Sequence, residues 1–118
     1  PLAKILHDPT HKCIAYRQLN CEKPIETSKL EAIYTTIAGK AYDTDPLELA
    51  GIQLKSATLT NPRKLDKFVC STLIAYVYTA LGLLPRSTNW FFFEPWHFST
   101  SNTDLQLVGC DLGNEILL

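Results

Sequence analysis

Charge is scarce in this chain. Of its 118 residues only 19% are Asp, Glu, Lys or Arg, while 46% are hydrophobic, so the sequence does not have the composition of a disordered segment. Neither sign dominates: residues 1–59 carry seven basic and seven acidic side chains, and residues 60–118 carry four and five. With no cationic arm and no polybasic stretch, phosphate tracking along a nucleic acid and docking on an anionic membrane are both disfavoured. Methionine is absent altogether and the chain opens with Pro1-Leu2-Ala3-Lys4, which shows no secretory signal and predicts a processed or partial chain. The longest apolar stretch, Phe68 to Leu84, is broken by Ser71, Thr72, Tyr76, Tyr78 and Thr79, so it predicts a buried helix and no membrane span. Four cysteines (Cys13, Cys21, Cys70 and Cys110) at irregular spacing are too sparse for a disulfide scaffold; they predict reduced thiols and a cytoplasmic location.

What is present reads as one α+β domain with no internal repeat. Residues 1–11 are a loop with two Pro and two His. Lys12 to Leu19 alternates as a strand, with Ile14 and Tyr16 on one face, and Asn20 to Pro24 reads as a loop. Ser28 with Glu31 predicts a capping box, after which Leu30, Ile33, Tyr34, Ile37, Ala38 and Ala41 follow helical spacing. Tyr42 to Pro46 is a turn, Leu47 to Leu54 a short helix, and residues 55–67 a polar stretch broken at Asn61-Pro62. Phe68 to Leu84 is the central helix, apolar almost all round, with Gly82 as a left-handed stop and Pro85 preventing continuation. Leu105 to Cys110 and Glu115 to Leu118 read as strands.

The chemistry concentrates on Cys70. A cysteine at the start of an apolar helix meets the free N–H groups and partial positive charge that favour a thiolate, and Ser71 and Thr72 suit a helix start. The competing reading is a small core residue, since free cysteine is among the most buried types. Other features have ordinary alternatives beside functional ones. His7, His11, Cys13 and Cys21 match no closed zinc-site spacing, and no metal or cofactor is expected. Trp90 to Phe98 holds two Trp and four Phe, read as packing over the central helix or, if exposed, as a partner surface. Tyr42 and Asp43 either line a site or close a turn. Arg17 reads as a surface residue, and Lys64, Asp66 and Lys67 as a solvated approach to the helix.

The stretch Cys70-Ser71-Thr72-Leu73-Ile74-Ala75-Tyr76-Val77-Tyr78, followed by Leu81-Gly82-Leu83-Leu84-Pro85, resembles the nucleophile helix of the NlpC/P60 superfamily of papain-like cysteine peptidases and amidases. Ile14 to Leu19 resembles that family's strand ending in Arg-x-Leu, Gly39 to Asp43 its Gly-x-x-Tyr-Asp turn, and Glu94 to Ser99 the segment after its nucleophile helix. This order is similar to the circularly permuted branch, which includes YiiX-like bacterial hydrolases and relatives in poxviruses and other large DNA viruses.

The resemblance implies a papain-like α+β fold in which a buried nucleophile helix packs on an antiparallel sheet, the 118 residues being the C-terminal part. It also implies a thiol hydrolase that cleaves an amide or ester through a Cys70 acyl-enzyme, with the Cys70 N–H helping to hold the oxyanion. Ser71, Tyr42 and Trp96 are the candidate substrate contacts. Family substrates include peptide amides and, in some permuted relatives, lipid-linked acyl groups. The family's His-Val-Gly strand stands neither before nor after Cys70, and His97 sits in an aromatic setting suited to packing. The catalytic His is therefore expected in a segment outside this chain. The alternative is a degenerate site, with the fold used as a structural protein in an assembly such as a virion. An unpaired sheet edge predicts a covering segment or partner chain.

Overall fold

The computed structural model describes residues 9, 13–42 and 67–118. The expectations for His7, His11, Asp43, the helix at Leu47 to Leu54, the break at Asn61-Pro62, Lys64 and Asp66 lie outside the described residues.

Among the described residues, two helices and six short strands form an α+β arrangement. In chain order the described elements are β1 (Ala15–Tyr16), β2 (Leu19–Cys21), α1 (Thr27–Ile37), β3 (Ala41–Tyr42), β4 (Lys67–Phe68), α2 (Cys70–Leu81), two 3-10 turns (Trp90–Phe92 and Pro95–Phe98), β5 (Cys110–Leu112) and β6 (Ile116–Leu117). The strands pair as three two-stranded ladders. β1 with β6 and β2 with β5 are antiparallel, whereas β3 with β4 is parallel. The expected antiparallel pairing is present, among the described residues, as separate short ladders.

The strand expected over Lys12 to Leu19 is split in two, and Asn20 and Cys21, expected in a loop, belong to β2. The reason is tertiary: β2 finds its partner late in the chain, with Leu19, Asn20 and Cys21 opposite Leu112, Asp111 and Cys110. Gly113 N–H donates to Gln18 O at 2.8 Å and Glu22 N–H to Gly109 O at 3.0 Å, so the ladder is bracketed by hydrogen-bonded pairs. The alternation leaves Cys21 and Cys110 on a non-hydrogen-bonded pair, where facing side chains come closest. They are joined as a disulfide across a sequence separation of 89, which corrects the expectation of reduced thiols at these two positions. The strand expected over Leu105 to Cys110 begins only at Cys110, because Gly109 adopts a left-handed φ of 66° and turns the chain into the ladder there.

Helix α1 starts one residue before the expected cap. Glu26 is its N-cap, without a side-chain cap bond, and its carboxylate pairs with Lys29 at 3.2 Å. Ser28 lies inside the first turn and does not cap. The helix ends at Ile37, so Ala41 falls in β3 and not on the helical stripe. No α1 residue is buried and Tyr34 is 69% exposed, although α1 packs against α2.

Helix α2 is shorter than the apolar run that predicts it. Val69 is its extended N-cap, and Thr72 Oγ1 accepts the Val69 N–H at 3.0 Å, so a side chain three residues into the helix satisfies the backbone just outside it. At the other end Gly82 takes a φ of 79°, as the sequence predicts, and the Leu83 N–H returns to Tyr78 O at 2.8 Å. Burial is narrower than the all-round apolarity predicts. Ser71, Thr72 and Ala75 are buried, joined by Leu83, Leu84 and Phe91 from the following segment, while Ile74 is exposed. The aromatic segment packs over this helix. Tyr76 meets Trp90 edge-to-face at 5.4 Å, and Tyr78 meets Phe98 at 5.9 Å.

Candidate functional site

Cys70 is the first residue of α2, and its free thiol is exposed, not packed in the core. The helix it opens has first-turn N–H groups with no intrahelical partner, a polar environment for negative charge. Cys70, Ile74 and Tyr78 stand four residues apart and therefore share one helix face. That face is one wall of an open cleft of about 560 Å³. Pro95, Phe98 and Ser99 supply a second wall, and Ala15, Arg17, Leu112 and Glu115 a third. The Tyr78–Phe98 ring contact joins the first two walls.

Arg17 fastens the third wall. Its guanidinium donates from Nε to Gly113 O at 2.5 Å, from one terminal nitrogen to Phe98 O at 2.7 Å, and from the other to Leu112 O at 2.7 Å. These bonds tie the chain between β1 and β2 to the second 3-10 turn and to the end of β5. The surface role read from the sequence is corrected: Arg17 is half-buried and cross-links three segments, because its planar fork matches carbonyls that only the fold assembles.

Glu115 completes the rim. Its Oε1 accepts the Thr100 N–H at 2.9 Å, and its own N–H donates to Thr100 Oγ1 at 3.0 Å. The Thr100 backbone bond, then the Ser99 hydroxyl, then the Arg17 charge hold its carboxyl below the ordinary carboxylate range, with desolvation opposing. Burial pushes the Tyr78 hydroxyl above its ordinary value, and Arg17 opposes that shift.

The other candidates separate. Ser71 is buried beside Cys70 and lines the cleft. Tyr42 lies in β3, whose backbone pairs with β4 at Phe68, two residues before the start of α2. Trp96 is exposed, stacks on His97 at 4.0 Å and donates to Glu94, and it is not on the cleft wall. His97 Nδ1 accepts the Glu94 N–H at 2.9 Å, and its ring lies 5.1 Å from Phe93, so it caps and packs the second 3-10 turn. Among the described residues the cleft wall carries no imidazole. Cys21, from the weighed zinc set, is bonded to Cys110, and no metal-holding group of His, Cys, Asp and Glu stands among the described residues. Among those residues, no helix is long and apolar enough to cross a membrane.

Arg17 and Glu115 are among the members of this site whose roles sequence reasoning missed. Neither carries a local signal, since the partners of Arg17 lie 81 to 96 positions away. No protein-family model, no curated protein and no solved structure matches this chain.

Proposed function

We propose that this chain is part of a papain-like thiol hydrolase of the permuted NlpC/P60 type, acting on an amide or ester through Cys70. The observation that carries the reading is the position of Cys70, exposed in the first turn of α2 and facing an open cleft. Attack by its thiolate on a carbonyl would form the acyl-enzyme, the Cys70 N–H would face the developing oxyanion, and water would release the acyl group. The general acid–base is a His supplied by a segment outside this chain. The apolar stripe of Ile74, Tyr78 and Phe98 offers a surface for the substrate's carbon skeleton, with Ser71 beside the thiol.

The test is labelling of the intact protein with a thiol-reactive ester- or amide-mimicking probe across pH, with Cys70→Ala as control. Labelling near pH 6 that far exceeds a free thiol and is lost in the variant is the expected result. Labelling no faster than a free thiol would defeat the reading.

The second reading is a catalytically degenerate fold serving as a structural or interaction protein, for example in a virion. Favouring it are the cleft wall without an imidazole among the described residues and the exposed apolar side chains of Tyr34, Ile116 and Leu117. The Cys21–Cys110 bond suits an extracellular or particle-borne setting better than a reducing cytoplasm.

A further inference from the structure

The disulfide stands where two features of the fold meet. On one side, Cys110 lines a second cavity of about 350 Å³, between the start of α1 and the end of α2, with Gly109 and Leu83 as neighbours. Its lining also carries Glu22, Glu26, Lys23 and Lys29, so its formal charge is balanced and a neutral molecule meets no net repulsion. On the other side, β5 runs from Cys110 straight into Leu112, which lines the Cys70 cleft. The ladder holding β5 to β2 is three residues long. Its covalent closure is the bond between Cys21 and Cys110, both of them half-buried and not sealed.

We propose that Cys21–Cys110 is a thiol-exchange site for a small neutral dithiol, and that its reduction loosens the β5 wall of the Cys70 cleft. The dithiol enters the second cavity, loses one thiol proton to solvent there, and its thiolate attacks Cys110 Sγ. The new bond is a mixed disulfide, and Cys21 leaves as a thiolate that takes up a proton from solvent. The second thiol of the reagent, deprotonated by solvent, then attacks its own mixed-disulfide sulfur and releases Cys110 as a thiolate, which is protonated in turn. Two electrons pass to the protein disulfide, and the dithiol is oxidised to its cyclic disulfide. With the covalent closure gone, β5 is held by its backbone ladder and by the Arg17 bonds to Leu112 and Gly113. So short a ladder opens more often, and the cleft wall opens with it. The inference rests on the ladder and the cavity, not on Cys70 being a nucleophile.

The experiment treats the intact, undenatured protein with dithiothreitol, alkylates with iodoacetamide, and follows each cysteine by peptide mass spectrometry alongside amide hydrogen exchange. Expected are alkylation of Cys21 and Cys110 without denaturant, and amide exchange at Glu22 and Gly113 at least about tenfold faster after reduction, with Ala75 in α2 unchanged. The alkylation rate of Cys70 is expected to change by at least about threefold, a measure of access that needs no catalysis. A disulfide that resists reduction until the protein is denatured overturns the proposal, and so does reduction that leaves both the exchange and the Cys70 rate unaltered. Cys21→Ser with Cys110→Ser gives a second reading of the opened state; if this double variant does not fold, the wild-type time course still decides.

Discussion

Arg17 and Phe98, 81 positions apart, are joined by a 2.7 Å hydrogen bond from the guanidinium to the backbone carbonyl. The same side chain donates to Leu112 and Gly113, so one cation holds together two walls of the Cys70 cleft. The carbonyls remain neutral, and the charge of Arg17 also reaches Glu115 and Tyr78.

Replacing Arg17 removes three charge-assisted bonds at once. Arg17→Ala is expected to cost about 2–4 kcal/mol of folding stability. Arg17→Lys should recover only part of that, because an ammonium has no planar fork to span separate carbonyls. Urea denaturation of the two variants checks this, and a loss below about 0.5 kcal/mol for Arg17→Ala would show the fork to be dispensable.

The disulfide joins residues 89 positions apart, so its removal frees a long loop in the unfolded chain. Cys110→Ser is expected to lose about 3–5 kcal/mol on the chain-entropy account. Denaturation under non-reducing conditions measures it, and equal stability of variant and wild type would contradict a bonded pair.

The ends of α2 offer a smaller, local test. Thr72 is 2% exposed and its hydroxyl answers the Val69 N–H, so Thr72→Ala should cost about 1–2 kcal/mol, while Thr72→Ser retains most of the bond. Gly82 has a φ of 79° and open space around its Cα, so Gly82→Ala should cost about 1 kcal/mol from backbone strain alone. Cys70→Ser, at an exposed position, should change stability by less than about 0.5 kcal/mol, which makes it a clean control for any loss of labelling.

Stability should also respond to pH at both extremes. The Glu115 carboxyl is depressed in the folded chain, so its contribution is present above the ordinary value of 4.5 and is lost as pH falls through the folded value. Glu115→Gln should flatten the acid limb, and an NMR titration of Glu115 should place its midpoint below 4.5. The Tyr78 hydroxyl is raised, so its contribution is complete below pH 10 and is lost above it. An ultraviolet titration compared with Tyr78→Phe should show that late ionisation; a midpoint for Tyr78 at or below 10 would contradict its burial.

Features that depend on neighbours a few positions away are legible in the sequence. The apolar run from Phe68 marks α2, and Gly82 ends it because a left-handed residue without a Cβ terminates a helix at little cost. Trp90 to Phe98 carries enough aromatic surface that packing against the nearest helix was the expected outcome, and Tyr76 and Tyr78 receive it. The spacing of Cys70, Ile74 and Tyr78 already places them on one face. What that face meets depends on long-range packing. Cys21 reads as a reduced thiol from its spacing, and the register of β2 against β5 pairs it with Cys110. Arg17 looked like a surface cation until the fold brought Phe98, Leu112 and Gly113 within its reach. Pairings over 81 to 96 positions leave no local trace, because the loop between them is free to close in many ways until the rest of the chain is packed.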